Sequence, residues 1–222
     1  ADIRQTPELP ALDRNQLVTA SDSFRVVVQG NTVGYKINTS VVTPDSMVFR
    51  GTLDIGGGTV HQDRVVRLRP SDLTVAGTDI ASAQQGRKHE THLTYGGGRV
   101  RGTILGTPDS GGAMRSSPVD TTMAAGSVDK DALEVIIPAL PLTLGRRVTL
   151  GAFDADSART TTMQVRVAGM DTVTVPAGKF AAMRVAITGA QTEVDLWVTI
   201  PSPRRIVKIE YVGSPVSFEL VK

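Results

Sequence analysis

From Thr161 onward apolar and polar residues alternate with a period of two, the spacing of a strand with one face buried. Met163, Val165 and Val167 share a face, Gln164 and Arg166 take the other, and Val173 and Val175 continue the apolar side. Pro176-Ala177-Gly178 predicts a turn, because proline fixes φ and glycine tolerates a positive one. The next strand puts Ala181, Met183, Val185 and Ile187 on one face. After Gly189-Ala190 another does the same with Thr192, Val194, Leu196, Val198 and Ile200. A two-residue loop at Gly189-Ala190 sets Val185 against Val194, Met183 against Leu196 and Arg184 against Asp195. That register matches apolar with apolar and charge with counter-charge, whereas a slip of one residue mixes the faces. Val207, Ile209 and Tyr211 carry the apolar face into a further strand. Trp197 is the exception, on the polar side with Glu193 and Asp195. It reads either as a ring packed under a neighbouring segment or as a contact platform for a sugar ring or a partner protein.

The first half repeats this grammar. Strand patterns at 23–29 and 35–42 flank a turn at Gly30-Asn31, and further strands follow at 47–55, 60–68, 91–95 and 99–105. Gly56-Gly57-Gly58 and Gly96-Gly97-Gly98 read as hairpin turns. A phosphate cradle would need a helix to follow, and no helical pattern does. Residues 107–128, rich in Gly, Ser, Pro and Asp, predict a long surface connection. The one helix predicted is 129–138, with Asp129 as its N-cap and Pro138 as its stop. Residues 1–20 read as an arm with one helical turn near 11–17, and 21–222 as a single antiparallel domain.

Composition supports strands and turns over helices: 28 Val and 25 Thr stand beside 22 Gly and 12 Pro in 222 residues. The net charge of +2 comes from scattered basic pairs, and with nine aromatics the chain lacks the footprint of a nucleic-acid binder. The absence of cysteine removes disulfides, thiolate metal sites and a cysteine nucleophile together. No apolar run approaches the roughly 20 residues that span a bilayer. An exported location, periplasmic or extracellular, is the expectation.

Candidate chemistry is sparse. Pro108-Asp109-Ser110-Gly111-Gly112 resembles the GDSGG signature of trypsin-like serine proteases, with His61 upstream. Proline, however, replaces the glycine whose N–H helps bind the oxyanion, and a flexible turn accounts for the motif better. His89, Glu90 and His92, with distant His61, are weak metal-ligand candidates, since residues 89 and 92 point to opposite faces of a strand. Asp129-Asp131 reads as a cap and Asp154-Asp156 as a turn. No cofactor-binding motif is present, and the reading leans against an enzyme.

SFRVVVQGNTVGYKI, DKDALEVIIPALPLTLGRRV, VTVPAGKF and DLWVTIPSPRRIVKIE, in that order, resemble a family of bacterial exported proteins classed as a domain of unknown function. Its members are similar in shape to periplasmic lipoprotein carriers of the LolA/LolB type. The resemblance implies a mainly β fold: a strongly curved antiparallel sheet, a half-barrel or unclosed barrel, whose concave side is partly plugged by the helix. It implies that Met183, Val185, Val194, Leu196, Val198, Ile209 and Tyr211 line the concave face, there to hold an apolar ligand or to fill a core. Three functions follow as expectations. One is a non-enzymatic exported protein that binds an apolar small molecule or lipid, or docks an envelope partner. Another is a hydrolase or metal-dependent enzyme using His61, His89 and His92. The last is a structural or adhesive module with Trp197 in its contact surface.

Overall fold

The computed structural model describes residues 7–69, 71–108, 112–189 and 192–222. The alternation becomes strand along most of the chain. An antiparallel meander runs through β1 (Ala20–Val28), β2 (Asn31–Val42), β3 (Met47–Ile55), β4 (Val60–Leu68), β5 (Val75–Gln84), β6 (Arg87–Gly96), β7 (Arg99–Gly106) and β8 (Arg115–Thr122). Next come β9 (Ser127–Asp129), the short helix α1 (Leu133–Ala139) and β10 (Arg147–Asp154), with β9 and β10 paired in parallel. A second meander, β11 (Arg159–Val175), β12 (Gly178–Thr188), β13 (Val194–Thr199), β14 (Ile206–Tyr211) and β15 (Val216–Leu220), returns until β15 pairs with β1. The result is one sheet of fifteen strands with β8 and β9 as its edges. These edges are consecutive in sequence yet unpaired, so the barrel stays open between them. Register shifts at Val26/Val27, Arg67/Leu68, Val167/Gly169 and Trp197/Val198 are bulges that increase local twist and bend the sheet.

The curved sheet wraps one core, in which Phe24, Phe49, Leu93 and Phe153 share a single buried cluster with Leu133, Val135, Ile136 and Ile137 of α1. The helix buries Leu133, Val135, Ile136, Ile137, Pro138 and Ala139, as expected of an element apolar nearly all round and enclosed by a sheet. A 3-10 turn at Lys130–Ala132 precedes it, and the Asp129 side chain accepts from the Asp131 N–H as its N-cap. Pro138 lies inside the last turn, and the chain leaves the helix one residue later. The arm is a strap: the Glu8 N–H donates to Thr149 O at 3.0 Å, and the Asp13 N–H to Ala139 O at 2.8 Å. A single 3-10 turn, Arg14–Gln16, interrupts it, while Leu9, Leu12 and Leu17 pack on the core.

Several local expectations need correction. The first turn is centred on Gln29-Gly30, both at positive φ, so Val28 pairs with Asn31. The span 107–128 contains β8, which the turn-rich composition concealed; its Asp120 side chain accepts from Arg99 on β7. β5, VAGTDIASAQ, carries too few large apolar residues for its alternation to show in the sequence. The β12–β13 register is two residues away from the one expected: Val185 faces Leu196, Met183 faces Val198 and Arg184 faces Trp197. A longer connection replaces the two-residue loop; Ala190 lies outside the described residues. A shift of two preserves which face each side chain occupies, so Arg184 still reaches Asp195, at 3.9 Å. Ala181 and Ile200 are exposed rather than part of the apolar face.

Candidate functional site

The site begins with a row of residues across three strands. Asn38 on β2, Gly51 on β3 and Arg64 on β4 are directly paired in register. With no side chain at Gly51, the Arg64 side chain lies across the row and reaches α1. Glu134 on α1 is the hub: its Oε1 accepts from Lys36 Nζ and from Arg64 Nη2, each at 2.5 Å, and its Oε2 accepts from Asn38 Nδ2 at 2.7 Å. Arg64 Nη1 also approaches Asp131 Oδ1, at 3.5 Å. Burial works to raise the Glu134 carboxyl, but the charges of Arg64 and Lys36 outweigh it and hold the group well below the usual carboxylate range. Burial lowers Lys36, whereas Arg64, facing both Glu134 and Asp131, is raised. Arg64 is therefore the principal counter-ion. A second buried group lies beside it: Asp129 accepts from the Tyr95 hydroxyl and, at 2.8 Å, from the Thr78 hydroxyl. Burial, then the charge of Asp131, push Asp129 up to about 6 against those hydrogen bonds.

Above this network the core is incomplete. A cavity of about 370 Å³ opens between the strap, the start of β1, the β2–β3 end and the helix. Leu17, Phe24, Met47, Phe49, Val135 and Ile206 supply its apolar wall. Asn38 and Glu134 lie in its lining, as do Asp22, Arg204 and Arg205. Each guanidinium is engaged. Arg204 Nη1 donates to the carbonyls of Pro138 at 3.2 Å and Leu140 at 2.8 Å, satisfying the helix C-terminus. Arg205 Nε and Nη2 both meet Asp22 Oδ1, at 2.6 Å. Gln16 on the strap is buried and ties the rim together, accepting from the Arg204 N–H at 2.8 Å and donating to Asp13 at 2.7 Å.

The residues singled out from the sequence lie elsewhere. Met183, Val185, Leu196, Val198 and Ile209 are buried core residues; Val194 and Tyr211 are half-buried against it. None of them lines the cavity. Trp197 is 8% exposed with Lys208 Nζ 5.2 Å from its ring centroid, so the ring is packed rather than presented. The histidines do not converge. His61 pairs with Asp63 at 3.1 Å and Asp54 at 3.4 Å, His89 with Asp156 at 3.1 Å, and His92 with Asp79 at 2.9 Å and Glu90 at 3.8 Å. No group of three metal-type side chains forms among the described residues. The motif at Asp109, Ser110 and Gly111 lies outside the described residues.

Among the described residues no helix is long and apolar enough to cross a membrane. A family model described as a protein of unknown function, DUF3108, matches residues 14–221. No curated protein matches the chain. Among solved structures, a β-barrel-like protein of the domain of unknown function DUF1849 from Brucella abortus is similar, with a TM-score of 0.58 and 11% identity over 96% of this chain and 98% of that one. At that identity the likeness is one of fold alone.

Proposed function

We propose, from the premise that the chain belongs to the DUF3108 family, that it is a non-enzymatic binding protein for an apolar small molecule or lipid chain. The observation that carries this reading is the cavity. At about 370 Å³ it falls within the size range of small-molecule sites. Its apolar wall is joined by polar groups that converge from five separate segments, and the strap forms part of its rim. A sheet this curved needs filling, and a gap left at one mouth is the feature a filled core does not explain. An exported location, periplasmic or extracellular, is part of the proposal.

Fluorescence titration with N-phenyl-1-naphthylamine, a neutral apolar probe, tests the reading. Saturable enhancement is expected, weakened about tenfold or more by Ala20→Trp, which places an indole in the cavity lining. No enhancement, or enhancement that Ala20→Trp leaves unchanged, refutes the cavity as the site.

A further inference from the structure

Among the described residues, Arg204 lines the cavity without a carboxylate in contact with it. The other charges of the lining are matched: Glu134 by Lys36 and Arg64, and Asp22 by Arg205. Arg204 Nη1 meets only the carbonyls of Pro138 and Leu140, which accept hydrogen bonds but carry no net charge. Asp13, on which the Arg204 charge acts, is exposed and accepts instead from Gln16 Nε2 and the Asn15 N–H. No acceptor among the described residues reaches Arg204 Nε or Nη2, so the forked edge of the guanidinium keeps its N–H groups. Arg205 keeps those on Nη1, because Asp22 takes only Nε and Nη2. The exposed Ser21 hydroxyl completes a cationic, donor-rich stretch of the rim. The Arg204 group is also held in place from two sides. Two helix carbonyls fix Nη1, and Gln16 Oε1 on the strap accepts from the backbone N–H at 2.8 Å.

We propose that the site takes an amphipathic ligand with an oxyanion head, a carboxylate on an apolar chain, with the head on Arg204 and the chain over Phe24, Met47 and Phe49. This rests on the binding function proposed above. A carboxylate fits the Nε–Nη2 edge with two parallel N–H···O bonds, which a single hydroxyl oxygen does not supply, and it neutralises the unmatched charge. The guanidinium is oriented before the ligand arrives, so little ordering is left for binding to impose. Asp22 and Glu134, also in the lining, are covered by their own cations. A cationic head would instead meet Arg204 and Arg205 as a like charge.

Displacement of bound N-phenyl-1-naphthylamine by decanoate, decan-1-ol and decyltrimethylammonium tests the proposal, at roughly pH 8 where decanoate is ionised. The probes share a ten-carbon chain and differ in the charge of the head. Decanoate is expected to displace the naphthylamine at about tenfold lower concentration than decan-1-ol, and decyltrimethylammonium to be the weakest of the set. Arg204→Met keeps an apolar stem and removes the charge, and Ser21→Glu sets a carboxylate at the exposed rim. Each should narrow the decanoate-to-decanol ratio to about twofold. Thermal melts check folding, and Ser21→Glu carries the test should Arg204→Met fail to fold. Equal displacement by decanoate and decan-1-ol, a preference for decyltrimethylammonium, or a ratio unmoved by Ser21→Glu overturns the oxyanion head while leaving the cavity as a binding site. Failure of the naphthylamine to bind in a manner sensitive to Ala20→Trp removes both.

Discussion

Gly51 shows how one absent side chain positions the rest. A Cβ built there would stand 2.6 Å from Arg64 Nε and 3.2 Å from Asn38 Oδ1, closer than the row permits. Its branched substitution Gly51→Val should therefore displace Arg64 from Glu134 and cost about 2–3 kcal/mol in denaturant unfolding. A loss within experimental error would show that the row adapts freely. The neighbouring strand explains why this site was hard to read. In Tyr35-Lys36-Ile37-Asn38 the usual rule buries the tyrosine and isoleucine. Here Lys36 and Asn38 are each 8% exposed and face the helix, while Tyr35 and Ile37 are 47% and 40% exposed on the convex side. Alternation alone reveals two faces but not which is inward, and partners 96 and 98 residues away in sequence decide it. Met183, Val185 and Leu196 were legible because both the alternation and their chemistry pointed inward.

At the scale of elements, α1 is a short apolar helix pinned to β2 and β4 by one buried carboxylate. Removing one partner of a buried ion network leaves the others uncompensated, so Glu134→Gln should cost about 3–5 kcal/mol. Replacing the set together, with Lys36→Met, Arg64→Met and Glu134→Leu, should recover part of that loss but not all of it, because Asp131 then stays buried without the Arg64 charge beside it. Equilibrium unfolding of the two variants decides the matter; a triple variant as unstable as the single one would contradict it. The pH dependence has two limbs. Glu134 is depressed when folded, so its contribution is present above the unfolded value near 4.5 and fades as pH falls below it. Asp129 is raised from 3.8 to about 6, so the folded state loses roughly 3 kcal/mol as pH rises between those values. Asp131 moves in the same direction. Melting temperature should thus peak near pH 4, and Asp129→Asn should flatten the decline toward neutrality; a wild-type melting point still rising from pH 5 to pH 7 would contradict the assignment. The capped helix start was legible at Asp129, a small polar residue just before an apolar run. The β12–β13 register was not, since face parity survives a two-residue shift and only the length of the connection fixes the pairing.

For the whole molecule, the sheet curls round one core, remains open between β8 and β9, and leaves a cavity where the strap crosses near the end of the helix. Strand content and turns were readable from period and composition. The curvature was not, and entered through resemblance to a family. The cavity had no sequence signature because its lining is drawn from the strap, β1–β3, α1 and residues 203–206, which become neighbours only after the second meander closes on β1. The central claim is that this gap holds a molecule. Native mass spectrometry on protein prepared from lipid-containing cells, followed by denaturing extraction, tests it most directly. The account predicts a stoichiometric noncovalent apolar adduct that is lost in Ala20→Trp. A bare protein mass, or an adduct retained equally by Ala20→Trp, would contradict it.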